Sequence, residues 1–110
     1  MVWRIRDRAT FEALRRSGRR ARRGPVTVTY LPVSGGPPRV AYAVGKRVGG
    51  AVQRNHLRRR LRAAVAETAP AMAPGAYLVA AGPEATACGF EELKRTVAAA
   101  MASASEEQGQ

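Results

Sequence analysis

The segment from Val44 to Arg62 constrains this chain most, because it combines dense positive charge with a helical apolar stripe. Seven of its nineteen residues are lysine or arginine. On a helix, small and apolar side chains would share one face, at i, i+4, i+7, i+8 and i+11: Leu57, Leu61, Ala64, Val65 and Thr68. A second face, here named the arginine face, carries Asn55, Arg58, Arg59 and Arg62. The pattern predicts a helix that packs on a core with one side and presents guanidinium groups on the other.

The positive charge is concentrated in the first part of the chain. Residues 1–62 hold 17 of the 19 lysines and arginines and only two acids, whereas residues 63–110 hold two basic residues and six acids. The net charge of +11 is therefore strongly one-sided. No acid lies between Glu12 and Glu67, although a merely solubilising surface would normally mix both signs. This distribution indicates a polyanionic partner.

Hydrophobic periodicity and turn residues predict the order α-β-β-α-β-α, an α+β two-layer sandwich on a small sheet. The first helix is expected to have Thr10 as a possible N-cap, and a basic connector is expected from Arg19 to Pro25. The first two strands are expected to pair as an antiparallel hairpin. Residues 1–102 are predicted to form one domain, followed by a disordered polar tail at 103–110. The expected elements are helix Arg8–Ser17, strands Val26–Leu31 and Arg39–Val44, helix Ala51–Thr68, strand Ala76–Ala81 and a final helix from Phe90 to about Ala102.

The sequence offers little catalytic chemistry of its own. His56 is the only histidine and Cys88 the only cysteine, so neither a nucleophilic Cys–His pair in an active site nor a cysteine-based metal site is expected. The carboxylates form no cluster that suggests two-metal catalysis. No apolar run approaches the roughly 18 residues of a membrane span, and no signal peptide is evident. A cytoplasmic protein that works without a membrane is the expectation.

The loop before the long helix offers a weaker signal. Lys46 and Arg47 follow a strand, and Gly49-Gly50 allow a tight turn into the helix N-terminus, which favours a phosphate. The order of residues is not that of a phosphate-binding P-loop. Lys46 and Arg47 are therefore candidate phosphate-binding residues. Arg54 joins them because it forms an i, i+4, i+8 row with Arg58 and Arg62 on the long helix. With His56 and the arginine face, these are the candidate residues for binding a polyanion.

The stretch Val44–Arg62 as a whole closely resembles the signature of the bacterial ribonuclease P protein component. That family has a strand that ends in two basic residues, then Gly, Ala-Val, an Arg-Asn-Arg core and a basic helix. The match extends to Arg4-Ile5, Thr10-Phe11, the strand Tyr77–Ala81 and the helix Phe90–Met101.

This resemblance implies a function. The family binds a large catalytic RNA and helps it to remove the 5′ leader from precursor tRNA, while the RNA performs the hydrolysis with bound Mg²⁺. The basic helix would face the RNA, and a cleft between the first helix and the sheet would hold the leader. It also implies a left-handed β-α-β crossover, against the usual hand. The implied cleft residues are Phe11, Arg15, Thr27, Thr29 and Ala43.

Three positions depart from the family pattern. His56 replaces the second arginine of the Arg-Asn-Arg core, so a permanent charge becomes titratable. Gly50 stands where the family often has asparagine, and Arg15 stands where a second aromatic residue often lines the cleft. Leader binding is therefore expected to depend on Phe11 and on charge, with less base stacking.

Two other functions remain open from the residues alone. A ribosomal-protein-like RNA binder would share the charge and the fold class, but it has no reason to keep the spacing from Lys46-Arg47 to Arg54-Asn55. A DNA-binding helical module is disfavoured, because no compact helix-turn-helix pair is evident. The partners that the resemblance implies are the catalytic RNA and precursor tRNA, with no DNA and no membrane.

Overall fold

Five strands form one mixed sheet, and three α-helices pack against it in the computed structural model, which describes residues 3–33, 37–68 and 72–106. Short 3₁₀ helices cover Lys46–Val48 and Pro83–Ala87. The α+β class is confirmed. In chain order the elements are β1 (Trp3–Arg4), α1 (Arg8–Ser17), β2 (Arg19–Arg23), β3 (Val26–Leu31), β4 (Arg39–Val44), α2 (Ala51–Thr68), β5 (Ala76–Ala81) and α3 (Phe90–Glu106).

The strand order is β1-β4-β5-β3-β2. The predicted hairpin between β3 and β4 is wrong, because β5 lies between them, antiparallel to β3 and parallel to β4. The physical reason lies in the composition of β5, which is apolar on both faces and so suits the centre of a sheet covered on both sides. The parallel neighbours β4 and β5 are joined through α2, so the chain contains a β-α-β crossover. Its left hand stays a prediction.

The predicted basic connector is also wrong, because Arg19–Arg23 forms the edge strand β2. It pairs with β3 in an antiparallel hairpin, with Ala21 opposite Val28. Ala21 is buried while the arginines on either side are exposed, an alternation typical of a charged edge strand. Gly24 begins the two-residue loop with a φ of +54°, a conformation that favours glycine.

The main core lies between one face of the sheet and helices α2 and α3. The predicted stripe of α2 is confirmed, since Leu57, Leu61, Ala64 and Val65 are all buried. Helix α3 contributes Leu93 and Val97 and continues past the predicted end at Ala102 to Glu106. Ala104 is fully buried, so residues 103–106 belong to the helix and not to a polar tail. Residues 107–110 of the predicted tail lie outside the described residues.

Helix α1 covers part of the opposite face of the sheet and builds a second, smaller core. Leu14 is buried there with Ile5, Ala41 and Ala76. The helix begins after Asp7 rather than at the expected cap Thr10, because the Asp7 carboxylate accepts hydrogen bonds from the Thr10 amide at 3.0 Å and from its hydroxyl at 2.6 Å. The two sides of the sheet are thus covered by different helices, one side by α2 and α3 and part of the other by α1.

Candidate nucleic-acid interface

The arginine face of α2 points away from the main core. Leu57 and Leu61 fix the rotation of the helix by docking on the sheet, so the opposite side faces solvent. Asn55, Arg59 and Arg62 are exposed and Arg58 is half-buried. His56 is exposed beside them, and Arg54 is half-buried near the start of the helix. The structure therefore groups six of the predicted RNA-binding residues along one helix.

Two guanidinium groups of this face are held by neighbouring side chains. Arg58 donates a hydrogen bond from Nη1 to Oδ1 of Asn55 at 2.9 Å. The Arg62 guanidinium carbon lies 5.8 Å from the centre of the Tyr42 ring, within the range of a cation–π contact. Burial raises the pKa of Tyr42 to about 12, although the charges of Arg62 and Arg4 oppose that shift. Such contacts restrict the side chains before any anion arrives, which lowers the entropy lost on binding.

Two other arginines of α2 point elsewhere. Arg60 donates from Nη2 to the carbonyl oxygen of Cys88, so it ties α2 to the segment before α3. Arg54 has its Nε buried without a hydrogen-bond partner among the described residues. Sequence periodicity alone does not distinguish Arg54 and Arg60 from the exposed arginines. Each lies next to an exposed residue in the sequence, and Arg60 also lies next to the buried Leu61.

Lys46 and Arg47 lie in the 3₁₀ helix that leads from β4 towards α2, and both are exposed. Gly49 follows with a φ of +149°, which L side chains rarely adopt, and a Cβ there would lie 3.1 Å from that of Gln53. The predicted tight entry into the helix is therefore present. It places two cations next to the N-terminal end of α2, where the backbone dipole also favours an anion.

A concavity of about 220 Å³ lies between α1 and the other side of the sheet, here named the α1–sheet cleft. Gly18 closes its end, where a Cβ would lie only 2.5 Å from Cγ2 of Thr29, so only glycine fits. Of the predicted leader residues, Arg15 and Thr29 line this cleft. Its lining consists of Leu14, Arg15, Gly18, Arg20, Thr29 and Leu78.

Thr27 and Ala43 lie on the same side of the sheet but one row further along. Strand register places Thr27 and Ala43 on either side of Ala80, as Thr29 and Ala41 flank Leu78. Ala43 is exposed and Thr27 is half-buried, so this row continues the cleft as an open surface of small side chains. The two residues are not part of the cleft lining itself.

Phe11 is half-buried and packs against the smaller core. Its other contacts face a neighbouring concavity of about 460 Å³, lined also by Arg6, Arg8, Glu12 and Arg15. Arg15 is shared by the two concavities, so it connects Phe11 with the cleft. The structure thus gives Phe11 both a packing role and an accessible edge.

Arg20 and Tyr42 were missed by reasoning from sequence. Arg20 lines the cleft opposite Arg15, and strand alternation places Arg22 on the same side. The sequence did contain a signal for this edge strand, because one small residue stands at the centre of the charged run Arg19-Arg20-Ala21-Arg22-Arg23. Tyr42 carried no signal, because its contact with Arg62 depends on how α2 crosses β4.

Three acidic side chains are paired with cations that belong neither to the arginine face nor to the α1–sheet cleft. Lys94 pairs with Glu67 at 3.1 Å and with Glu91 at 3.2 Å, on the side where α2 meets α3. Asp7 lies 3.7 Å from Arg39, at the start of α1. Within the described ranges, no group of three or more His, Cys, Asp and Glu side chains could hold a metal ion. No helix in the described part of the chain is long and apolar enough to cross a membrane.

Comparison with known proteins connects this arrangement to a family. The profile of the family described as Ribonuclease P matches residues 2–105. The ribonuclease P protein component of Kocuria rhizophila is 41% identical over 102 residues, which cover 92% of this chain and 90% of that protein. The corresponding protein of Thermobifida fusca is 34% identical over 116 residues, which cover 97% of this chain and 79% of that protein.

Solved structures share the fold at much lower identity. The RNase P protein of Staphylococcus aureus superposes with a TM-score of 0.79 at 19% identity, covering 89% of this chain and 91% of that one. The RNase P protein of Thermotoga maritima gives a TM-score of 0.80 at 17% identity, with coverages of 89% and 94%. The family profile spans nearly the whole chain, and a relative that is 41% identical covers 92% of it, so this chain belongs to the ribonuclease P protein family.

Proposed function

We propose that this chain is the protein subunit of ribonuclease P and assists Mg²⁺-dependent removal of the 5′ leader from precursor tRNA in the bacterial cytoplasm. The observation that carries the proposal is the family match over residues 2–105. The arginine face and the cleft lie on different sides of one sheet, which suits two RNA contacts. One side would bind the catalytic RNA while the other remains accessible to the substrate.

The arginine face would bind phosphates of the catalytic RNA. Guanidinium groups form bidentate, charge-assisted hydrogen bonds with phosphate, and each contact releases condensed counterions. Arg58, Arg59 and Arg62 lie within about one turn of each other on one face of α2. Arg59 and Arg62 are exposed and Arg58 is half-buried. Lys46, Arg47, Arg54, Asn55 and His56 would extend this contact towards the start of α2.

The α1–sheet cleft would bind the single-stranded leader. Arg15 and Arg20 stand on its two walls and can hold the leader backbone, while Thr29 and Leu78 form a floor without charge. Phe11 would add stacking on a base at the neighbouring concavity. Thr27 and Ala43 would allow the leader RNA to continue across the open part of the sheet.

The chemical step would belong to the RNA partner. Mg²⁺ is coordinated by several oxygen ligands, which carboxylates and phosphates can supply. In the proposed complex, phosphates of the RNA would supply most of these ligands. The protein's own residues would hold substrate and RNA in register, which raises the rate by orientation rather than by proton transfer.

Reconstituted cleavage tests the proposal. Labelled precursor tRNA is incubated with Mg²⁺ and the catalytic RNA encoded in the same genome, with and without this protein. We expect faster cleavage at the mature 5′ end with the protein, at Mg²⁺ concentrations where the RNA alone is slow. The protein without the RNA should not cleave the substrate. Equal rates with and without the protein would contradict the proposal.

A further inference from the structure

A separate concavity lies beside the arginine face, between the first half of α2 and the 3₁₀ helix Pro83–Ala87. It has a volume of about 280 Å³ and a largely apolar lining. None of its six described lining residues is acidic, and three carry a planar nitrogen-containing group: the Gln53 carboxamide, the His56 imidazole and the Arg60 guanidinium. The lining consists of Val52, Gln53, His56, Leu57, Arg60 and Thr86.

Val52 is the feature that folding does not explain. Its side chain is 78% exposed, on a helix whose other exposed positions are mostly polar, charged or alanine. Val52, His56 and Arg60 follow each other at intervals of four, so they form a stripe between the buried Leu57 and the arginine face. Val52 lines the pocket and is itself exposed, so it extends the apolar lining out to the surface.

Three of the six lining side chains are held in place or buried in the free protein. Arg60 is held by its hydrogen bond to the Cys88 carbonyl, so its guanidinium plane stays at the pocket. The Thr86 hydroxyl donates to the carbonyl of Pro83 at 2.8 Å, which turns its polar end inward to its own 3₁₀ helix. Leu57 is buried beneath them. A pocket with such walls needs little reorganisation to receive a ligand.

We propose that this pocket receives one unstacked nucleobase of the catalytic RNA, a contact that rests on the proposed function. A base is planar and apolar on its faces, so it suits a pocket with an apolar lining and stacks on imidazole or guanidinium planes. The strand that carries it is an anion, and His56 lies beside Arg59 on the neighbouring stripe. The phosphates of that nucleotide would therefore meet cations at the rim while the base enters the pocket.

The experiment separates a base contact from a phosphate contact by its salt dependence. Binding of the full-length protein to the catalytic RNA is measured over a series of salt concentrations for wild type, Val52→Ser and Thr86→Met. Serine removes the apolar rim without adding charge, and methionine fills the pocket. We expect each variant to lose affinity by about five- to a hundredfold, the range for one stacked base, with an unchanged log–log salt slope.

Ala66→Ser is the matched control, because Ala66 is exposed about four turns along the same helix and outside the pocket. It should bind as wild type does. Thermal melting checks that each variant is folded, which is expected for Val52→Ser because the side chain is so exposed. Wild-type affinity in both pocket variants, or a lower salt slope in either, would overturn the inference while leaving the proposed function intact. Failure of the wild-type protein to bind the RNA would contradict the proposed function as well.

Photo-crosslinking provides a second, independent measurement. A photoreactive phenylalanine analogue is placed at position 52 in one protein and at position 66 in another, and the crosslinked nucleotides are mapped in the complex. We expect position 52 to crosslink to a single unpaired nucleotide that position 66 does not reach. Crosslinks from position 52 to duplex regions alone would contradict base insertion.

Discussion

The arginine face of α2 and the α1–sheet cleft are both rich in arginine, but they are built in different ways. The arginine face comes from one continuous helix, and its side chains extend from a convex surface. The cleft combines α1, β2, β3 and β5, and its arginines stand on walls above an uncharged floor. A convex array suits the backbone of a large folded RNA, whereas a concave surface suits a single strand. The comparison teaches that shape, and not charge alone, distinguishes the two proposed RNA contacts.

The largest expected change in the salt dependence of RNA binding comes from removing cations of α2. Arg58→Ala, Arg59→Ala and Arg62→Ala should each lower affinity for the catalytic RNA by roughly tenfold, because each loses a charge-assisted phosphate contact. Each should also reduce the log–log salt slope by about one unit. Arg95→Ala, which removes an exposed arginine from α3, is the control and should leave both quantities unchanged. An unchanged slope in all three α2 variants would show that this face only maintains solubility.

Substitutions of Phe11 and Leu14, two residues of α1, test the cleft side of this comparison. Leu14 is fully buried in the smaller core, so Leu14→Ala should cost about 2–5 kcal/mol of folding stability. Phe11 is only half-buried, and Phe11→Ala should cost less than the roughly 3–5 kcal/mol of a fully buried phenylalanine. Lost stacking should reduce the preference for precursor over mature tRNA, by roughly 1–3 kcal/mol.

Melting curves and binding to precursor and mature tRNA in the reconstituted complex measure both effects. Binding of either Phe11 or Leu14 variant to the catalytic RNA alone should stay close to that of wild type wherever the variant is folded. A large loss of stability in Phe11→Ala without any change in the precursor preference would assign Phe11 to the core alone.

The contrast between the two surfaces also explains what the sequence could predict. The helix period placed Leu57 and Leu61 inward and the arginines outward, and the structure confirms the bounds and the buried stripe of α2. The family resemblance, carried by the motif within that helix, is confirmed too. These features depend on residues within about twenty positions of each other, where local periodicity is sufficient.

The cleft depends on pairing between distant segments, and there the sequence predicted less. Leu78 reaches the cleft floor only because β5 enters between β3 and β4, and a local pattern cannot reveal that order. Arg20 was assigned to a connector, since a strand with four arginines and one alanine has low strand propensity. Edge position and pairing with β3 override that propensity. The N-cap of α1 is Asp7 and not the predicted Thr10. The sequence did not distinguish the two residues, because both have side chains that can cap a helix.

A smaller effect is expected at His56, which departs from the family pattern. His56→Arg should raise the affinity for the catalytic RNA, because it places a permanent cation beside Arg59. Measuring both proteins over a series of salt concentrations checks the prediction, and the variant should show the steeper log–log salt slope. The precursor preference should not change, and equal affinities and slopes in the two proteins would show that the side chain does not reach the RNA.

The smallest effect is expected at the N-terminal end of α1, where Asp7 caps the helix that forms one wall of the cleft. Hydrogen bonds from the Thr10 hydroxyl and amide lower the pKa of Asp7 below its ordinary value of 3.8. A carboxylate with a lowered pKa stabilises the fold above its ordinary value, and this contribution is lost as the pH falls through the lowered value. Asp7→Asn keeps an acceptor for the cap but does not titrate.

The wild-type protein should therefore melt at a higher temperature than Asp7→Asn at pH 6, and the difference should shrink as the pH falls below 3.8. Asp7→Ala, which removes the acceptor, should melt lowest at pH 6. Because the buried residue of the capped helix, Leu14, belongs to the smaller core, the precursor preference should fall in Asp7→Ala while affinity for the catalytic RNA alone is kept. Equal losses in both binding measurements would show that the two surfaces are coupled through the sheet and do not act as separate sites.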